Sequence, residues 1–455
     1  MNKTVETQRT YFQSGATLPY TFRVKQLKTL YQAIKKNEGL IMEALEQDLG
    51  KSPFESYATE LSMVYGEIKH TLKHLKSWMK DEKVPTPVQS FGGKSYLHRQ
   101  PLGVVLIMAP WNYPFQLTIT PLVAAIAAGN CVVLKPSRYA RHTSAVLADL
   151  IKAHFPPEYI TLFEGGREVN SALLEIQFDH IFFTGSVRVG KIVMAAAAKH
   201  LTPVPLELGG KSPCLVDRTA DLEKTAQRII WGKALNAGQT CVAPDYVLVH
   251  KAVKEELVTA MQRAIKKFFG ENPLQSPDLG RIIHADAFDR LQGLIEMEKE
   301  RIITGGASDR VQLKIELTLV DSPALDSPLM TEEIFGPILP VITYDDFMEA
   351  VEIIRNREKP LALYLFTKDK NLESWVVNNL SYGGGCINDT IMHVANYHLP
   401  FGGVGASGIG SYHGKKGFET FSHTKSILMQ TFAFDLPLRY PPYKNKLNLL
   451  KKLLR

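Results

Sequence analysis

Cys241 lies in Asn236-Ala-Gly-Gln-Thr-Cys-Val-Ala-Pro-Asp-Tyr246, small and polar residues between two apolar runs. Core cysteines usually sit inside an apolar run, as Cys131 does in Asn130-Cys-Val-Val-Leu134. A thiol on a turn is instead open to ionisation by its neighbours and to use as a nucleophile. Taken alone, a lone cysteine is more often a buried structural thiol. Two other stretches carry what a nucleophilic thiol needs. Val204-Pro-Leu-Glu-Leu-Gly-Gly-Lys211 puts Glu207 at the end of an apolar strand, where desolvation raises a carboxylate towards general-base range. A solvated glutamate at a strand end is the plainer reading. Met108-Ala-Pro-Trp-Asn-Tyr-Pro114 offers the Asn112 amide as an oxyanion donor, or as a turn residue only.

A second set of residues has the types that hold a dinucleotide. Phe182-Phe-Thr-Gly-Ser-Val-Arg-Val-Gly190 reads as strand, glycine turn and helix. Backbone N–H groups at that helix start, with Ser186 beside them, make a pyrophosphate cradle. Gly185 and Gly190 have no third glycine between them, so the spacing departs from the usual fingerprint and an ordinary βα turn fits equally well. Val132-Val-Leu-Lys-Pro-Ser137 delivers Lys135 to the carboxyl end of a strand, where α/β sheets bind ligands and where exposed lysines are also common. Glu332-Glu-Ile-Phe-Gly-Pro337 places an acid and an aromatic on one loop, which a solvated turn would also explain.

These groups need a scaffold. A chain of 455 residues exceeds one ordinary core, so two large domains and a small appendage are expected. Residues 22–48 and 55–80 read as amphipathic helices, followed by a Pro/Gly/Ser-rich break from Val84 to Gly93 and a hairpin arm over residues 92–101. Apolar runs at 103–109, 131–134, 159–163, 180–183, 204–208 and 213–216 alternate with helical stretches near 117–128, 143–154 and 190–199, the pattern of buried parallel strands in βαβ units. The pattern restarts after residue 209, with strand candidates near 246–250, 316–320, 338–342, 362–366 and 384–387. The expected class is α/β: a Rossmann-like cofactor domain (1–208), a second α/β catalytic domain (209–408) and a small β bridging element for dimerisation. The bridging element takes the arm and a return segment (409–436) ending in a strand at 427–434. The glycine-rich run Phe401 to Gly410 is either a flexible linker or backbone packed close to a neighbour.

Four cysteines at irregular spacing suit a reducing compartment and argue against a disulfide framework or a zinc site, so no metal is expected. No apolar run is long enough to span a bilayer and the start lacks a signal-peptide pattern, which points to the cytoplasm. Six of the Lys and Arg residues behind the net charge of +7 fall between Leu438 and Arg455, with no acid among them. The body of the chain is therefore close to neutral, and a spread nucleic-acid footprint is unsupported.

The chain resembles the aldehyde dehydrogenases over nearly its whole length. The motifs run in order: Pro110-Trp-Asn-Tyr-Pro114, Leu134-Lys-Pro-Ser137, Phe183-Thr-Gly-Ser186, Leu206-Glu-Leu-Gly-Gly-Lys211, Gly238-Gln-Thr-Cys241, Glu333-Ile-Phe-Gly-Pro337 and Pro400-Phe-Gly-Gly403. Ala243-Pro-Asp-Tyr246, Tyr412-His-Gly-Lys415, Phe421-Ser-His423 and Arg439-Tyr-Pro-Pro442 are similar to the class 3 branch, which handles fatty, medium-chain and aromatic aldehydes and usually forms dimers. The resemblance implies oxidation of an aldehyde to the acid with NAD or NADP. Cys241 would form a thiohemiacetal and then a thioester, Asn112 would hold the oxyanion, and Glu207 would activate water. It also implies that Glu333 and Phe335 position the nicotinamide riboside, Lys135 the adenine ribose and Ser186 the pyrophosphate. Trp111, Ser137, Gly185, Gly190 and Leu208 complete the cofactor set.

One position departs from the family: three residues after the ribose-binding lysine, where a glutamate is frequent, this chain has Arg138, which can pair with a 2′-phosphate or point to solvent. Rival readings are an acylating enzyme that passes the thioester to coenzyme A, which typically lacks a glutamate at the place of Glu207, and a non-catalytic protein on the same fold. In the tail from Lys444 to Arg455, Leu447, Leu449, Leu450, Leu453 and Leu454 fall on one side of a helical wheel and Asn448, Lys451, Lys452 and Arg455 on the other. Such a basic tail helix docks either on the enzyme or, reversibly, on an anionic membrane surface.

Overall fold

The computed structural model describes residues 1–433 and 435–453. One six-stranded sheet has the order Gly408–Ile409, Leu206–Glu207, His180–Thr184, Val104–Met108, Cys131–Lys135, Ile160–Leu162. All its neighbours run parallel except the first pair. Both faces are covered, so Val104–Met108, Cys131–Lys135 and His180–Thr184 are buried at every residue, and this is why they read as unbroken apolar runs. A seven-stranded sheet has the order Ile302–Thr304, Thr318–Asp321, Ile338–Tyr344, Tyr246–His250, Pro213–Val216, Ala362–Phe366, Gly384–Ile387, parallel apart from its first strand.

The third sheet is antiparallel: Glu82–Val84, the arm Lys94–Pro101, and Ser422–Met429. Here two expectations need correction. Val84 belongs to a strand and not to the break. The closing strand is Ser422–Met429, not 427–434: its register runs from Ser422 opposite Pro101 to Met429 opposite Lys94, so the ladder stops where the arm stops. Phe434 lies outside the described residues. The glycine-rich run is close-packed backbone: a Cβ on Gly403 would lie 2.1 Å from the Ser407 carbonyl oxygen, and Gly408 pairs with Glu207.

The segment expected as one helix over 55–80 is three pieces. Pro53–Ser56 leads into a π-helical turn, Tyr57–Leu61, and then into Ser62–Trp78. The wide turn is where the chain meets the catalytic cavity. Helix Gln116–Ala128 is buried along its whole length, packed among Tyr20–Lys36, Ser62–Trp78 and Gly414–Thr420. Among the described residues the tail helix spans Leu447–Leu453, so it begins later than Lys444, and Lys446 turns back to donate to the Pro437 and Tyr440 carbonyls. Leu454 and Arg455 lie outside the described residues.

Candidate active site

Helix Leu222–Ala234 ends in a tight reversal in which Asn236, Ala237 and Gly238 all take positive φ (53°, 51° and 75°). Two of these are not glycine, a strain that persists only where surroundings fix the backbone. They do so densely. The Asn236 N–H donates to the Glu55 carboxylate at 2.6 Å, and its side chain donates to the carbonyls of Asn112 (2.7 Å) and Gln239 (3.1 Å). The Gln239 side chain donates to the Asn236 and Arg281 carbonyls and accepts from the Ile283 N–H, all at 3.0 Å. Asn112 Nδ2 donates to the Gln239 carbonyl at 3.1 Å, which fixes its amide beside the loop two residues before Cys241.

Cys241 is part-exposed and lines a cavity of about 280 Å³ together with Glu207, Leu208, Trp231, Phe401 and Tyr412. Glu207 comes from the short strand Leu206–Glu207 and is 2% exposed; neither carboxyl oxygen has a hydrogen-bond partner among the described residues. Burial alone holds its pKa well above the usual carboxylate range. Burial, then Glu333, then Glu207 push the Cys241 thiol up to about 12. This corrects the expectation of a thiol ionised by its neighbours: it rests neutral and needs a base to take its proton.

Support for this floor comes from residues that the sequence did not single out. Lys51 and Glu60 pair at 2.5 Å with both side chains wholly buried, and Lys51 also donates to the Asn112 carbonyl at 3.2 Å. The other Glu60 oxygen accepts from the Phe115 and Gln116 N–H groups at the start of helix Gln116–Ala128. Lys211 reaches Asp245 at 2.6 Å and donates to the Leu329 and Glu332 carbonyls, while Asp245 accepts from the Ile334 N–H. These bonds fix the turn that carries Glu333 and Phe335.

Most of the remaining predicted residues stand at the carboxyl ends of parallel strands, whereas Glu333 and Phe335 sit on the turn before strand Ile338–Tyr344. Trp111 follows Val104–Met108 and meets the Phe335 ring edge-on at 5.3 Å. Glu333 lies against Gly209, where a Cβ would fall 2.2 Å from its carboxyl oxygen, and it accepts from the Gly210 N–H. The two glycines after Leu208 thus make room for this acid. Lys135 ends its strand, is 3% exposed and donates to the Pro136 carbonyl at 2.6 Å; burial lowers it to about 8. Ser137 accepts from the Tyr139 N–H, and exposed Arg138 lies over the Tyr139 ring at 5.0 Å. Gly185 precedes Ser186, which caps helix Val187–Ala198 by accepting from the Val189 N–H at 3.4 Å. Gly190 stands apart from that opening. It is buried inside the helix with a Cβ position 2.7 Å from Leu208, so it serves helix–strand packing.

The sequence profile described as the aldehyde dehydrogenase family matches residues 1–427. The chain belongs to the aldehyde dehydrogenase family. It is 49% identical over 443 residues to the 4,4′-diaponeurosporen-aldehyde dehydrogenase of Staphylococcus aureus, covering 97% of this chain and 96% of that one. With the human aldehyde dehydrogenase family 3 member B1 it shares 47% identity over 445 residues, 97% of this chain and 94% of that one. A solved structure titled as the substrate-bound state of Staphylococcus aureus AldH superposes with a TM-score of 0.98 at 48% identity, covering 100% of this chain and 99% of that chain. More distant solved relatives at 25–26% identity hold NAD+ in one case and NADP in another.

This aldehyde dehydrogenase is therefore an NAD(P)-dependent oxidoreductase that converts aldehydes to acids. The residues present fit such a cofactor. Glu333 keeps a buried carboxyl oxygen with no partner among the described residues, and Lys135 has only the neighbouring Pro136 carbonyl as its hydrogen-bond acceptor. Among the described residues no group of three or more His, Cys, Asp or Glu is arranged to hold a metal ion, and no helix is long and apolar enough to cross a membrane.

Proposed function

We propose that Cys241 is the nucleophile, Glu207 the base and Asn112 the oxyanion donor of this aldehyde dehydrogenase. The observation that carries the reading is a single cavity walled by both the Cys241 thiol and the unpartnered Glu207 carboxyl. As the thiol adds to the aldehyde carbon, its proton passes to Glu207, and the carbonyl oxygen takes the free N–H of Asn112, whose other N–H is held by Gln239. An acceptor for the hydride that leaves the thiohemiacetal carbon is what NAD(P) supplies when bound. Once that proton has left Glu207, the carboxylate takes one from the water that cleaves the thioester and returns it to the departing Cys241 thiolate. Lys135, Ser137 and Arg138 hold the adenosine end of the cofactor, Gly185 and Ser186 its pyrophosphate, and Trp111, Leu208, Glu333 and Phe335 the nicotinamide end, with Gly190 supporting Leu208. Comparing the first-turnover burst with the steady-state rate in Cys241→Ala and Glu207→Gln tests these roles.

The substrate we assign is an apolar aldehyde, medium- or long-chain or aromatic. Leu117, Trp231, Leu235, Ile391, Met392 and Phe401 wall the cavity with hydrocarbon and aromatic surface that suits an alkyl or aryl tail. A coenzyme A acceptor is disfavoured by a base already standing beside the thiol. We further read residues 1–208 as the cofactor domain, 209–408 as the catalytic domain and 409–436 as the return into the bridging sheet.

A homodimer forms along that bridging sheet. The arm occupies one side of Ser422–Met429, its other side is unpaired among the described residues, and Leu428, Met429 and nearby Phe432 are exposed. Light scattering at micromolar concentration is expected to give twice the chain mass; a monomer mass overturns this. Residence in the cytoplasm, with reversible contact between the basic tail and an anionic membrane surface, completes the proposal.

A further inference from the structure

Each turnover leaves a proton on Glu207, which must lose it before the next water can be activated. Glu207 is buried and has no partner among the described residues to take that proton. A second cavity, about 340 Å³, adjoins the catalytic one and shares the walls Met63, Gln116, Val394 and His413 with it. The only acid in its lining is Glu67. Glu67 lies on the inward face of helix Ser62–Trp78, is 4% exposed, and has one oxygen bonded to the Gly414 N–H at 2.8 Å. Tyr412, 1% exposed, stands in the wall of the catalytic cavity within electrostatic reach of both acids, with the side chain of Gln116, a residue of both cavity walls, against its hydroxyl.

We infer that Glu67 receives the proton that Glu207 collects and passes it to solvent, so that two adjoining cavities separate chemistry from proton exit. This rests on the base role proposed for Glu207. Glu207–COOH gives its proton to the Tyr412 oxygen, the Tyr412 O–H proton moves on, and the Glu67 carboxylate accepts it, through water where the gap requires. No electrons move, and one proton leaves Glu207 for each one released by Glu67. The second cavity has room for several waters at about 30 Å³ each. It opens in turn, through the shared walls Tyr397 and His413, into a surface cleft lined by His70, His74 and His398.

Glu67 touches no reacting atom and acts through Glu207, as a positioning residue for the proton. Its surroundings suit the task. Burial raises it to about 7 despite the Gly414 bond, so it can take and release a proton near neutrality. The titratable groups around it are His413 in the cavity wall, Tyr412 beyond Gln116, and His70 one turn on along its own helix. Lys415, Lys416 and Glu419 stand farther out in the cleft. Helix Gln116–Ala128 contributes only Gln116 and Thr120 to this wall, and helix Tyr20–Lys36 meets another face through Tyr31 and Tyr65.

The test follows reduced-cofactor formation and proton release together, by stopped flow in weak buffer with a pH indicator, at pH 7. Glu67→Gln keeps the acceptor for the Gly414 N–H. It is expected to form reduced cofactor in the first turnover at the normal rate while proton release lags on the order of tenfold. Added imidazole should restore the release. Tyr412→Phe, which keeps the ring, should lag in the same way and keeps the inference testable if Glu67→Gln does not fold. Proton release in step with reduced cofactor in either folded variant overturns the relay, and so does a lag that imidazole leaves unchanged. Glu207→Gln measured alongside separates the two readings: if it loses steady-state turnover while both relay variants behave normally, only the relay fails.

Discussion

Glu207 and Cys241 wall the same cavity, and neither carboxyl oxygen of Glu207 has a hydrogen-bond partner among the described residues. A carboxyl left without donors in a buried site is a strong proton acceptor once ionised, which a thiol held near 12 requires. Glu207→Gln is therefore expected to lower steady-state kcat by on the order of 10²–10⁴-fold. The burst of reduced cofactor should slow with it, because the same carboxylate takes the thiol proton. Cys241→Ala should abolish both phases while NAD(P) binding, followed by fluorescence, persists. Full steady-state turnover in Glu207→Gln would remove the glutamate from the mechanism.

Arg138 is exposed after strand Cys131–Lys135, its guanidinium over Tyr139 and 3.3 Å from that hydroxyl. It directly follows Ser137, and no acid accepts from Lys135 or Arg138 among the described hydrogen bonds, so the guanidinium can turn to a 2′-phosphate. NADP should be used at a rate comparable to NAD. Arg138→Glu is expected to shift the kcat/KM ratio towards NAD by about tenfold, the size of one ionic contact. Negligible kcat/KM for NADP in the parent enzyme would show the arginine to be solvated.

Stability should fall as pH rises from about 6.5 to 8; below that, His180, lowered by burial to about 3, and His70, His393 and His413, lowered to about 4, stay neutral in the folded chain and act in the opposite sense. Burial raises Glu67 to about 7 and Glu333 to about 8, from an ordinary value of 4.5. Between those values the folded chain holds protons that the unfolded chain has lost, so their contribution is complete below the ordinary range and disappears through 7 and 8. Lys135 and Lys233, lowered to about 8 by burial, act in the opposite sense only above that pH. Tm measured across pH 6.5–8 is expected to decline, and Glu333→Gln to flatten the decline. A Tm that climbs over this window contradicts the buried, protonated state of these acids.

The two parallel sheets were legible because strands buried on both faces leave short unbroken apolar runs, and Trp111, Lys135, Gly185 and Leu208 could be placed because each falls where such a run ends. What stayed hidden was the charged support beneath them. Lys51, Glu55 and Glu60 look like ordinary surface charges, and only burial reveals that they clamp Asn112, Asn236 and the start of a helix. A faint signal existed: Glu60 and Glu67 fall on the same helical stripe as Val64, Ile68 and Leu75. The end of the closing strand was not readable at all, because the length of its partner sets it, and composition carries no trace of that.

The tail offers the last prediction. Helix Leu447–Leu453 leaves Leu447, Leu449, Leu450 and Leu453 exposed, with Lys451 and Lys452 on the opposite side. Even the whole stretch from Leu447 to the end of the chain is too short for a helix to be stable alone in water. Here the bonds that fasten its start, from Lys446 to the Pro437, Tyr440 and Tyr443 carbonyls, are all local to the tail among the described residues. An anionic bilayer would give the leucines an apolar interface and the cations lipid phosphates, with each basic residue near the surface contributing about 1 kcal/mol. Full-length protein should co-sediment with vesicles containing anionic lipid at low salt, release as salt rises, and ignore neutral vesicles; a version ending at Tyr443 should stay in solution throughout. If the full-length protein also stays in the supernatant at low salt, lipid is not what the leucine face meets, and the helix docks on protein.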